Sequence, residues 1–165
     1  FSFVISAYDV FGNPQGNQSA LYGSEGFGAA LYPRDESMST DASCKATDNF
    51  DGSYSVSCLS TVSGSYSMVI YLDLPGNERV LIGGTNNLTV AINPGQFSPS
   101  NSLVVPESTV VKAGEQYSVI IQGRDTYSNL QIAGGLSFDI SLKTSSSQPA
   151  SMYDQKLVDR GDGKY

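Results

Sequence analysis

Apolar residues recur at every second position in short runs along this chain, and no stretch sustains the three-to-four spacing of a helix. Phe1, Phe3, Ile5 and Ala7 share one face of a predicted strand. Tyr66, Met68, Ile70 and Leu72 form the next clear run within Gly64 to Leu72, and Leu88, Val90 and Ile92 another within Asn87 to Ile92. Tyr117, Val119, Ile121 and Gly123 repeat the pattern, as do Leu136, Phe138 and Ile140. A further strand region is expected over Leu103 to Val111. Turn residues punctuate the runs at Pro75 to Glu78, Asn93-Pro94-Gly95 and Ala113-Gly114. The pattern predicts an all-β chain of antiparallel strands. The inward residues are Phe1, Phe3, Ile5, Val56, Tyr66, Met68, Ile70, Leu88 and Val90 in a first half, and Tyr117, Val119, Ile121, Leu136, Phe138 and Ile140 in a second.

The stretch Asp41 to Ser60 carries the sharpest local prediction. Tyr54, Val56 and Cys58 alternate with Ser53, Ser55 and Ser57, and Asn49-Phe50-Asp51-Gly52 precedes them as a turn. The Asp-Gly pair is expected to supply the positive φ angles of a tight hairpin. A fold about Asp51 sets Ala46 opposite Val56 and Cys44 opposite Cys58. Opposed residues of an antiparallel pair have Cβ atoms about 4.5–5.5 Å apart, close to what a disulfide requires. A Cys44–Cys58 bridge is therefore expected. The alternative is two reduced, buried thiols acting as small hydrophobes. With no histidine in the chain, two cysteines do not complete a zinc shell.

The chain also repeats itself. Phe1 to Asn13 aligns with Tyr117 to Asn129 at an offset of 116 in the numbering, both segments ending in Asp, two residues and a small-Asn pair. Phe27 is set against Leu136 at an offset of 109, and Asp51-Gly52-Ser53-Tyr54 against Asp162-Gly163-Lys164-Tyr165 at an offset of 111. The change of offset from 116 to 109 implies that the second copy has lost seven loop positions. These correspondences divide the chain into residues 1–94 and 95–165.

The hairpin Asp48-Asn49-Phe50-Asp51-Gly52-Ser53-Tyr54-Ser55-Val56-Ser57, followed by Gly64-Ser65-Tyr66, resembles the signature of filamin-type immunoglobulin-like repeats. Phe50 stands where that family usually has glycine, Cys58 where an aromatic is common, and Ile82-Gly83-Gly84 in the place of Ile-x-Gly-Ser-Pro. The resemblance implies two tandem immunoglobulin-like antiparallel β-sandwiches, the first without its opening strand and the second without its last strands. It further implies that flanking sequence or a neighbouring chain supplies the missing strands. Phe1 falls inside a strand, so the natural protein is expected to be longer.

Composition narrows the function. Hydrophobic residues make up 39% of the chain and charged residues 15%, the balance of a globular protein with a core. A formal charge of −7, with nine basic residues spread thinly, disfavours nucleic acid and anionic membrane surfaces. No apolar run approaches the length of a membrane span, so no direct membrane insertion is expected of this segment. Without histidine there is no Ser-His-Asp or Cys-His nucleophile. Asp9, Asp35, Glu36, Asp48, Asp51, Asp73 and Glu78 sit in predicted turns or strand ends, where turn chemistry accounts for them. Asp48 to Gly52 fails as a calcium loop, because Phe50 takes a ligand position and no glutamate follows at the twelfth place. No glycine-rich stretch has the context of a phosphate loop.

Two sequons, Asn17-Gln18-Ser19 and Asn87-Leu88-Thr89, mark candidate glycosylation sites at Asn17 and Asn87. Arg160-Gly161-Asp162 is a cell-attachment tripeptide, although the expected hairpin already demands its Gly and Asp. Opposed cysteines and sequons together point to an extracellular or cell-surface setting. The expected role is a non-enzymatic structural or adhesion module without catalytic residues, cofactor or metal, whose partners are proteins, including neighbouring copies in an array. The alternative is a cytosolic filamin-like scaffold that links cytoskeleton and binds peptides by β-strand addition.

Overall fold

The computed structural model describes residues 1–15, 26–38, 41–74, 76, 78–83, 88–112, 114–141 and 156–165. The chain divides into two compact units, Phe1–Asn93 and Pro94–Tyr165. Both are built from antiparallel strands, and no α-helix occurs among the described residues.

The first unit contains β1 (Ser2–Ser6), β2 (Gly26–Pro33), β3 (Ser43–Asp48), β4 (Ser53–Leu59), β5 (Gly64–Leu74), β6 (Glu78–Leu81) and β7 (Leu88–Ile92). One sheet has the order β1-β4-β3. In the other, β5 is flanked on one side by β2 and on the other by β6 and β7 in succession. β6 pairs with Tyr71–Leu74, and β7 pairs with Gly64–Met68. The Ile82 N–H donates to the Ile70 carbonyl at 2.8 Å, carrying this composite edge beyond β6.

The sheets enclose one core. Ala29 and Leu31 of β2, Val56 and Cys58 of β4, and Tyr66 and Met68 of β5 are buried together, with Phe3, Ile5, Ala46, Val90 and Ile92 packed around them. Period-two alternation is what delivers them there, since the same strands turn Ser55, Ser57 and Ser65 outward. Val56 and Tyr66 have no accessible surface. The Tyr66 ring fills the core while its hydroxyl donates to the Val62 carbonyl at 2.8 Å. The Ser60 hydroxyl lies 3.1 Å from that same phenolic oxygen and donates to Asp41 at 2.9 Å. A buried phenol thereby has its polar end satisfied and pins the connection between β4 and β5.

In the second unit β8 (Leu103–Pro106) pairs with β9 (Val119–Gln122). On the other side of β9, Ile121 and Tyr165 exchange both backbone hydrogen bonds, at 2.9 and 3.0 Å. Ile121 and Tyr165 are buried, and the rings of Phe97, Phe138 and Tyr165 meet in sequence edge to face.

Several expectations are corrected. Phe1 and Leu88 are half exposed because β1 and β7 are edge strands and these residues stand at their starts. Tyr117 is also half exposed, since β9 begins two residues later. β8 ends at Pro106, so Val110 and Val111 lie outside it and are exposed. Gly135 to Ile140 alternates as expected, yet pairs with no strand among the described residues, and Ile140 is exposed. Alternation prepares a strand, but a strand exists only beside a hydrogen-bonding neighbour. In the other direction, β6 was not anticipated. Its four residues are all exposed and give no alternating signal.

Candidate functional site

Cys44 and Cys58 form a disulfide across the β3–β4 hairpin, with Cα atoms 4.1 Å apart. The register is the one expected, Cys44 opposite Cys58 and Ala46 opposite Val56. The Cys58 N–H is turned away from β3, donating to the Phe1 carbonyl at 2.9 Å. Cys44 and Cys58 are therefore a non-hydrogen-bonded pair, the arrangement in which opposed side chains come closest. A disulfide suggests an oxidising, extracellular-type environment. Asn17 and Asn87, the two candidate glycosylation sites, lie outside the described residues.

The hairpin turn itself differs from expectation. Its closing pair is Asn49 with Ser53, whose backbone bond is 3.0 Å, which leaves a three-residue loop. Positive φ angles fall on Phe50 (62°) and Gly52 (83°), not on Asp51 and Gly52. Asp51 instead accepts from the Ser53 hydroxyl at 2.6 Å and the Ser53 N–H at 3.0 Å. Those bonds, the hydroxyl's foremost, hold its carboxyl below the ordinary range. Glycine at position 52 is required twice over. Its φ disfavours any side chain, and a Cβ would run into the backbone carbonyl of Gln15.

That contact ties the hairpin to the turn that follows β1. Ala7 N–H donates to Gly52 O at 2.9 Å, and Gln15 N–H returns to Ala7 O at 2.9 Å. Between them, Asp9 accepts from the N–H groups of Phe11 (2.9 Å) and Asn13 (2.8 Å) and from the Asn13 amide at 2.8 Å. The second unit repeats the whole framework. Gly123 donates to Gly163, and Gln131 to Gly123, both at 2.9 Å. Asp125 accepts from Tyr127 (2.9 Å), Asn129 N–H (2.9 Å) and the Asn129 amide (2.8 Å). Each of these residues is offset by 116 from its counterpart, apart from Gly163, which is offset by 111 from Gly52. Likewise Phe50 corresponds to Gly161, whose φ is 77°.

The copies differ in burial. Asp9 is half-buried, whereas Asp125 has 1% of its surface accessible and gains a further donor, the Gly95 N–H at 2.7 Å. Burial raises the Asp125 pKa, but the bonds from Asn129, Gly95 and Tyr127 together outweigh it and leave the group lowered. Gln15 and Gln131 escaped the sequence reading. The aligned segments reach Asn13 and Asn129, and two more residues would have shown the shared glutamine.

Ring contacts correct the alignment of the following strand. Phe27 packs on Tyr54 at 4.8 Å between centroids, and Phe138 on Tyr165 at 4.9 Å. The equivalent of Phe27 is thus Phe138, at the hairpin's own offset of 111, and not Leu136. The second copy is shorter there by five positions rather than seven. Arg160-Gly161-Asp162 forms the exposed turn of the second hairpin, with Asp162 accepting from the Lys164 N–H at 3.1 Å.

Among the described residues no group of three or more His, Cys, Asp or Glu side chains is arranged to hold a metal ion. No helix among them is long and apolar enough to cross a membrane. No family model matches the chain, and no curated protein is significantly similar to it.

Proposed function

We propose that the chain is a non-enzymatic structural or adhesion module, two immunoglobulin-like repeats of filamin type within an extracellular or cell-surface array. The observation that carries this reading is the doubled framework of turn and hairpin, the same hydrogen bonds built twice in one chain. Tandem copies of one sandwich extend reach and multiply contact sites. The strand order β1-β4-β3 facing β2-β5-β7 supports an immunoglobulin-like arrangement. So does the Tyr66 hydroxyl bonded to the backbone four residues upstream, the feature found at the corresponding corner of that fold. The Cys44–Cys58 bridge supports the extracellular setting over the cytosolic scaffold.

The test is expression through a eukaryotic secretory route, followed by non-reducing mass analysis and glycan release. Paired cysteines and a glycan on Asn17 or Asn87 are expected. Reduced thiols, bare sequons and co-sedimentation with cytoskeletal filaments would overturn the reading in favour of the scaffold.

A further inference from the structure

We infer that the end of the first unit formed by residues 8–13 and 49–52 is a plug for an apolar pocket, ringed by Lys and Arg, on a partner protein. Val10 and Phe11 are 91% and 87% exposed, and Phe50 is 68% exposed. The Ala7–Gly52 and Gln15–Ala7 bonds hold the two turns side by side, so these side chains project from one end of the sandwich. The second unit serves as an internal control. On the same framework it carries Thr126, Tyr127 and Gly161 in place of Val10, Phe11 and Phe50. Tyr127 keeps an exposed ring, 63% accessible, at the position of Phe11, but the framework needs no apolar residue at positions 10 and 50. Phe50 also holds a left-handed backbone conformation that its counterpart Gly161 adopts freely. Large apolar groups kept in water, one of them in a disfavoured conformation, mark a binding surface.

Charge selects the partner. Asp9, Asp48 and Asp51 flank the apolar side chains, and hydrogen bonds, foremost from the Asn13 side-chain amide to Asp9 and from the Ser53 hydroxyl to Asp51, lower the pKa of Asp9 and of Asp51. No Lys or Arg occurs in residues 1–33 or 46–78. The convex tip is thus acidic and apolar, complementary to a basic-rimmed pocket and repelled by an anionic bilayer. The inference rests on the adhesive role proposed above and names the surface through which it acts.

A random peptide library displayed on phage is selected on the intact chain and counter-selected on the chain carrying V10T, F11Y and F50G, residues that the second unit already uses in the same turns. Retained peptides should combine aromatic or aliphatic residues with Lys or Arg, bind about tenfold more weakly to the triple variant, and weaken further in salt. The double variant V10T and F50G should reproduce most of the loss. Peptides without basic residues, equal binding to both chains, or no enrichment would overturn the inference. So would flotation with phosphatidylcholine vesicles, or self-association in sedimentation, that the triple variant abolishes. The first assigns the tip to a membrane and the second to another copy of the chain. Failure of the extracellular reading is seen separately, in the thiols and sequons, and leaves the peptide result standing.

Discussion

Phe50 is the residue where conformation and side chain disagree most openly. A left-handed φ costs a residue with a Cβ about 1 kcal/mol, and an exposed ring gains little packing in return. Phe50→Gly should stabilise the first unit by about 1 kcal/mol in urea unfolding, with unchanged denaturant dependence. Gly52→Ala should do the opposite, losing at least about 2 kcal/mol, because it adds the same strain and drives a methyl group into the Gln15 carbonyl. Equal stability of Gly52→Ala and wild type would show that the two turns are not locked together. These positions were only half legible in the sequence. A register centred on Asp51 fixes which residues face each other, and so found the cysteine pair. It does not fix which loop residues turn left-handed, and Phe50 gives no sign of doing so.

At the level of elements, the β3–β4 hairpin is secured by its own bridge. Cys44 and Cys58 have a sequence separation of 14, and closing a loop of that size contributes roughly 3 kcal/mol in the chain-entropy description. Reduction should lower the urea midpoint of the first unit accordingly, and amide exchange should rise first in β3 and β4. The Tyr66 hydroxyl is a smaller fixture. Tyr66→Phe keeps the ring in the core and loses the bond to Val62, an expected cost of about 1 kcal/mol by thermal or urea unfolding. Strands with one buried face were legible because alternation records burial. β6 was not, since all four of its residues face water and its place is set by pairing with Tyr71–Leu74. Gly135 to Ile140 failed for the converse reason, having the alternation without a pairing strand among the described residues.

For the molecule as a whole, acid should loosen the framework of the second unit through Asp125. The Asp125 pKa is lowered in the fold, below an unfolded value of about 3.9. Its contribution to stability is therefore complete above that value and lost as pH falls through the lower folded one. The protection of the Ile121 and Gly123 amides, relative to their intrinsic exchange rates, should fall below about pH 4. Asp125→Asn should remove that acid response and cost about 1–3 kcal/mol at neutral pH, because an amide nitrogen cannot accept from Gly95 or Asn129. An acid profile unchanged by the substitution would assign the sensitivity elsewhere.

The paired rings carry one more consequence. The step from Phe27 to Tyr54 equals the step from Phe138 to Tyr165, so the two spans from ring to ring have the same length. Upstream the copies diverge, because the path from Gln15 to Phe27 is longer by five positions than the path from Gln131 to Phe138. The chain has thus already performed an insertion experiment on itself, and both outcomes keep the aromatic contact and the turn framework. Residues 16–25 are accordingly the place to graft a short epitope or a labelling peptide when the intact chain has to be followed.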